Sequence, residues 1–172
     1  MASERLDAGE SRLDKIIELI SQSQTSIHDL SKSSAKSDGE AFRMNMPFEL
    51  GLDLGFRRFP DKRFSDKRYL VFEEKRYDLK RALSDLSGVD VEYHENSFER
   101  VIQATKNFPV NELGCTMPGK SRLEGEYYDF QAWLLETKRK EGLAAAEVLD
   151  LQMVERTRAM QDWVALGKPP PN

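Results

Sequence analysis

The chain has 172 residues, 39% hydrophobic and 33% charged, enough for a core of its own and too polar for a membrane protein. With 30 acidic against 26 basic side chains the net charge is −4, and no stripe of Lys and Arg interleaved with aromatics is present to neutralise nucleic-acid phosphates. Cys115 is the single cysteine, which excludes a disulfide framework and a thiolate metal cluster. No apolar run approaches the roughly 20 residues of a membrane span, and the charged start MASERLDAGESRLDK is unlike a signal peptide. A cytoplasmic protein of bacterial type is expected, with neither nucleic acid nor membrane as partner.

Ser11 and Asp14 make a capping-box-like S-x-x-D start. Leu13, Ile16, Ile17 and Ile20 then recur at helical spacing and predict a helix over 11–22 with one buried face. TSIHDLS over 25–31 predicts a buried strand that delivers Asp29 at its carboxyl end, and the Ser, Lys and Gly residues that follow read as a loop. Pro47 suits the first turn of a helix over NMPFELGLDLGFRR, because its missing N–H would have no intrahelical partner there. Gly51 and Gly55, four apart, predict a bare strip where a sheet or helix approaches closely. RYLVFEE over 68–74 reads as a strand with a continuous apolar centre.

SDLSGVDVEYH over 84–94 reads as a turn at Gly88 and a short strand through Val89, Val91 and Tyr93. Ser97 is expected to cap a helix with Phe98, Val101, Ile102 and Thr105 inward, stopped by Asn107 and Pro109. Residues 110–125 read as loop. Two helices follow over 126–141 and 146–166, anchored by Trp133, Leu134, Leu149, Met153, Met160 and Trp163. Alternation of helix and strand predicts an α/β sandwich with a mainly parallel sheet. Residues 1–109 form its core, 110–167 a helical extension packed on it, and 168–172 a flexible tail.

Ligands of open α/β sheets bind outside the carboxyl ends of the strands, where Asp29 and Glu49 are both expected. A helix N-terminus there favours an anionic or ribosyl-phosphate ligand. A carboxylate beside it could act as nucleophile, or stabilise charge developing at an anomeric carbon as a glycosidic C–N bond breaks. Glu49 also has a structural reading, since three residues after Met46 it can bond back to a helix cap. Asp53 most simply pairs with Arg57 at i+4; the alternative makes it a second acid on Glu49's face, facing the ligand.

His28 suits a satisfied core position better than a catalytic one. His94 stands beside Glu92 and Glu95 without a His or Cys partner at ligand spacing, so neither metal nor cofactor is expected. No phosphate-binding loop, Rossmann glycine fingerprint or nucleophile elbow is present.

RMNMPFELGLDLG, an asparagine shortly before an apolar-Phe-Glu-Leu-Gly helix start, resembles the signature of bacterial TIR-like nucleotide-binding domains. More distantly it resembles that of nucleoside 2-deoxyribosyltransferases. With ESRLDKIIELISQSQTSIHDLS before it and SDLSGVDVEYH after it, the resemblance covers most of residues 5–165. It implies a flavodoxin-like three-layer sandwich with extra C-terminal helices. It also implies that Glu49 is the catalytic carboxylate at the ribose C1′, cleaving the N-glycosidic bond of NAD or of a nucleoside.

By the same resemblance Asn45 lies near the sugar, Asp29 matches the acid ending the preceding strand, and Ser84, Asp85 and Gly88 flank the site. Proteins of this kind open with a strand and helix carrying an F-I-N-C-P-F-D-like loop, which this sequence lacks. That strand would be the central one, and its bare edge would favour a homo-oligomer. The alternative to an N-glycosidase is a non-catalytic nucleotide-sensing module, or an oligomerising one that uses Trp133 and Trp163.

Overall fold

The computed structural model describes residues 11–31, 44–58, 64–83 and 90–171. They divide into two compact units, with the boundary between Met117 and Pro118. The first unit is α/β. Its elements are α1 (Arg12–Gln22), β1 (Thr25–Asp29), α2 (Asn45–Arg58), β2 (Arg68–Glu73), α3 (Asp78–Ala82), β3 (Val91–Tyr93) and α4 (Phe98–Leu113). The strands form one all-parallel sheet in the order β1-β2-β3. Register places Asp29 opposite Phe72 and Glu73 opposite Tyr93, and Leu30 N–H extends the ladder to the Phe72 carbonyl at 2.9 Å. No gap interrupts the sheet between β1 and β3.

The central strand is buried on both faces, which explains its unbroken apolar run. Val71 packs with Leu30, Leu50 of α2 and Leu79 of α3 on one face. Leu70 and Phe72 pack under Ala104, Val101 and Phe108 of α4 on the other. Among the described residues α2 covers one side of β1, and Ile27, pointing away from that side, stays 50% exposed.

Three features depart from the sequence reading. Pro109 sits inside α4 instead of stopping it. It forfeits one backbone bond, and the helix runs on to Leu113, where Gly114 at φ 65° closes it onto the Pro109 carbonyl. α3 has no periodic pattern to announce it. Its first turn is held by Glu73, whose two carboxylate oxygens accept from Tyr77 N–H at 2.7 Å and Leu79 N–H at 2.8 Å. Gly51, expected at a close contact, is exposed, and a Cβ there would meet nothing within 4 Å. Gly51→Ala should therefore stabilise the protein by about 0.5–1 kcal/mol. Urea melts would read this; a loss of stability would mean that the fold requires glycine there.

The second unit is helical: α5 (Lys120–Lys140), α6 (Ala145–Leu149) and α7 (Met153–Ala165). α5 begins inside the stretch read as loop, and the last predicted helix is two, each started by a glutamate reaching back. Glu147 accepts from Ala144 N–H at 2.7 Å and Glu155 from Gln152 N–H at 3.1 Å. Phe130, Leu134, Val148, Ala159 and Trp163 make the core of this unit. Leu149, Met153 and Met160, expected as anchors, stay exposed. No helix among the described residues is long and apolar enough to cross a membrane.

Candidate functional site

The carboxyl edge of the sheet gathers the ends of all three strands. β1 delivers Asp29, and the chain turns so that Ser31 N–H donates to Asp29 Oδ1 at 3.0 Å while the Ser31 hydroxyl donates to the same oxygen. This is an Asx turn supported by a hydroxyl. β3 delivers His94, whose Nδ1 accepts from Asn96 N–H at 3.0 Å. The ring proton therefore belongs on Nε2, which lies 2.6 Å from Ser31 Oγ and 3.7 Å from Asp29 Oδ1.

The result is a relay in which His94 Nε2–H donates to Ser31, and Ser31 donates to Asp29. Its His94 end is buried and its Asp29 end is 60% exposed. Ser31 is not set up as a nucleophile, because its proton is directed to Asp29 and the facing imidazole nitrogen carries a proton already. What the relay does is aim an exposed carboxylate, ready to accept from hydroxyls or to face a positive charge. Around it, Tyr77, Glu95 and Asn96 adopt left-handed φ values of 72°, 49° and 59°. Such strained non-glycine residues concentrate at functional sites. Asn96 Nδ2 also donates to Glu74 at 3.0 Å, which fixes the loop after β3 to the end of β2.

α2 carries the chain from the carboxyl end of β1 back to the amino end of β2, so its first turn belongs to the same edge. Asn45 is exposed at its first residue. Glu49, half-buried, faces the Arg12 guanidinium at the start of α1 across 3.7 Å rather than a backbone cap. Ser84, Asp85 and Gly88 lie outside the described residues. Asp29 is thus brought together with Ser31 and His94, and Glu49 with Arg12.

Asp53 does not pair with Arg57 on the surface, nor does it face solvent as a ligand contact would require. It is fully buried, with Oδ1 3.0 Å from Lys67 Nζ, and Oδ2 accepting from Ser26 Oγ and lying 3.1 Å from His28 Nε2. Lys67 also donates to the Ile20 and Ser23 carbonyls at the end of α1, at 2.7 and 2.5 Å. Burial pushes the Asp53 carboxyl up, but bonds from His28, Ser26 and Lys67 together with the ammonium charge outweigh it and hold the group below the usual carboxylate range. Tyr69, whose hydroxyl donates to the Asp53 carbonyl at 3.3 Å, is pushed up to about 12 by burial and then by the Asp53 charge. Arg57 instead lies over the Tyr69 ring, 5.6 Å from its centre.

His28 takes the core role, its Nδ1 buried without a hydrogen-bond partner. Sequence reasoning missed Ser31 and Lys67. The D-x-S step after a strand is a local turn signal that could have found Ser31; nothing local distinguishes Lys67 from the exposed Lys75.

A cleft of about 630 Å³ lies at the opposite, amino-terminal edge, between Leu54 and Arg57 of α2, the starts of β2 and β3, and the Asn107–Glu112 end of α4. Asp29, Asn45, Glu49 and Asp53 do not line it, and its Arg68 is already paired with Glu112 at 3.4 Å. Among the described residues no group of three or more His, Cys, Asp or Glu is arranged to hold a metal ion. The chain matches no family model, no curated protein and no solved structure.

Proposed function

We propose that the α/β unit is a flavodoxin-like domain of the TIR-like kind that binds a nucleotide or nucleoside across the carboxyl edge of its sheet. The observation that carries this is the Asp29–Ser31–His94 relay: a buried histidine spends its one N–H, through a serine, on orienting an exposed carboxylate at the strand end where α/β ligands bind. Asp29 and Asn45 take the sugar hydroxyls, and Glu49 faces the anomeric carbon. As the C–N bond breaks, its electron pair leaves with the base, Glu49 balances the positive charge on the sugar, and water adds its oxygen to C1′. That water gives up one proton, to the departing base of a nucleoside or to solvent when neutral nicotinamide leaves. The Arg12 partner is 71% exposed at its side chain, and such pairs are worth only about 0–1 kcal/mol, so a ligand can displace it.

Incubation with NAD and with deoxynucleosides, followed by assay of free nicotinamide or base, tests the chemistry. Glu49→Gln should abolish release, and Asp29→Asn should raise KM about tenfold or more. Release by Glu49→Gln equal to that of the parent would rule out the catalytic role. The Arg12–Glu49 pair favours one second reading, a sensor in which that carboxylate is structural. Nucleotides would then raise Tm without turnover. Trp163 is turned into the core of the helical unit with Trp133 packed against it, an arrangement that does not favour an oligomerising role for these two rings.

A further inference from the structure

The carboxyl edge also carries a ladder of cations and rings. Arg76, in the loop after β2, holds its guanidinium carbon 5.0 Å from the centre of the Tyr77 ring and 5.6 Å from that of Tyr93. Lys80 Nζ lies 5.5 Å from the Tyr77 centre, and Arg100, in the first turn of α4, covers Tyr93 at 5.1 Å. Of these three cations Arg100 is neutralised, by Glu95 at 2.9 Å. Arg76 and Lys80 have no carboxylate partner among the described residues.

Arg12, Arg68 and Arg122 are tied to acids, Glu49, Glu112 and Glu126, and Arg156 donates to the Val148 and Leu149 carbonyls. Arg76, like Arg57 over Tyr69, is held by rings, and it alone of the two touches a pair of them. A ring face attracts a guanidinium without consuming its N–H donors, so two tyrosines hold Arg76 in place and leave its donors open. An oriented, unneutralised guanidinium fork matches the oxygens of a phosphate.

Position completes the case. Tyr93 ends β3 immediately before His94, the root of the Asp29 relay. Two inter-strand steps separate β1 from β3, about 10 Å in all, a span that a nucleoside diphosphate can bridge from sugar to terminal phosphate. We infer that the Arg76–Tyr77–Tyr93 ladder, with Lys80, is the phosphate end of the ligand site, so that the ligand is a 5′-phosphorylated nucleotide and not a free nucleoside. This rests on the reading of Asp29 as the sugar end. Two unneutralised cations suffice for one or two phosphates, not for the backbone of a nucleic acid.

Titration calorimetry of the full chain at low salt, with the four ribonucleoside 5′-diphosphates, the matching nucleosides and inorganic pyrophosphate, tests the assignment. At least one diphosphate should bind about tenfold or more tightly than its nucleoside. Arg76→Gln should remove that difference and leave nucleoside affinity unchanged, while Asp29→Asn weakens nucleoside and diphosphate alike. Arg76 is exposed, so its variant should fold, and circular dichroism will check this. Equal affinity for nucleoside and diphosphate, both weakened by Asp29→Asn, overturns the phosphate assignment and leaves the sugar reading in place. Diphosphate binding that Arg76→Gln abolishes and Asp29→Asn does not touch supports the phosphate site and overturns the sugar reading. Binding of no probe overturns both.

Discussion

Lys67→Met should lower the stability of the α/β unit by about 3–5 kcal/mol, the cost of leaving one member of a buried ion pair without its partner. Lys67 is 2% exposed; its ammonium donates to the Ile20 and Ser23 carbonyls and is ion-paired with Asp53 Oδ1 at 3.0 Å. The two carbonyls belong to the last turn of α1 and to its C-cap Ser23, where backbone donors are scarce. One side chain therefore ties the end of α1 to α2 and to the start of β2. Methionine fills the space but leaves a buried carboxylate without its counter-charge and takes one donor from each carbonyl, of which Ile20's keeps only the Ser23 N–H at 3.3 Å.

Asp53→Asn with Lys67→Met should lose less than Lys67→Met alone, because the orphan charge is gone, and urea denaturation of the variants reads the difference. A loss below about 1 kcal/mol for the single variant would refute a buried, paired Lys67. Should that variant not fold, Asp53→Asn alone keeps the shape of the site and tests the same pair.

The same cluster sets a pH dependence. Asp53 is held below its ordinary range in the folded protein, so the unfolded chain takes up that proton more readily. Its contribution is complete above about pH 4, the unfolded carboxyl value, and is lost as pH falls through the lower folded value. Stability should decline on acidification below pH 4, and less steeply in Asp53→Asn. An equal acid slope in parent and variant would show that other carboxylates account for the loss.

What could be read from the sequence follows the range of the forces involved. α1, β1 and β2 lie within one or two residues of expectation, because a buried stripe or an apolar run is written locally. α3 is five residues held by Glu73 from outside the helix, and no periodicity within it can show that. Asp53 is the instructive case. From spacing alone, Arg57 at i+4 is its natural partner; in the fold, Ser26, His28 and Lys67 from three other positions in the chain enclose it. Burial of a charge is decided by long-range partners, so the local rule fails where the tertiary network is strongest.

Asp29 was legible as the end of a strand. The histidine that orients it comes 65 residues later, from β3. That the two meet follows from the parallel order β1-β2-β3, which brings both carboxyl ends to one edge.

Trp163→Ala should cost about 3–5 kcal/mol and fall on the helical unit alone. Trp163 is 4% exposed, its ring centre lies 5.6 Å from that of Phe130, and its Nε1–H donates to the Pro169 carbonyl at 2.9 Å. Truncation would open a cavity between α5 and α7 and also remove one of the bonds that tie down the chain after α7, where Lys168 additionally pairs with Glu126. A unit of this size buries a smaller share of its surface than a large domain and has little stability in reserve, so a loss of this magnitude should unfold it at room temperature. The α/β unit has separate cores on the two faces of its sheet. The variant should therefore lose helical dichroism and red-shift the emission of the half-buried Trp133, while a second transition persists at the parent's midpoint and proteolysis cuts after Met117. A single transition displaced as a whole would show that the two units unfold as one cooperative body, and the cores would then have to be treated together.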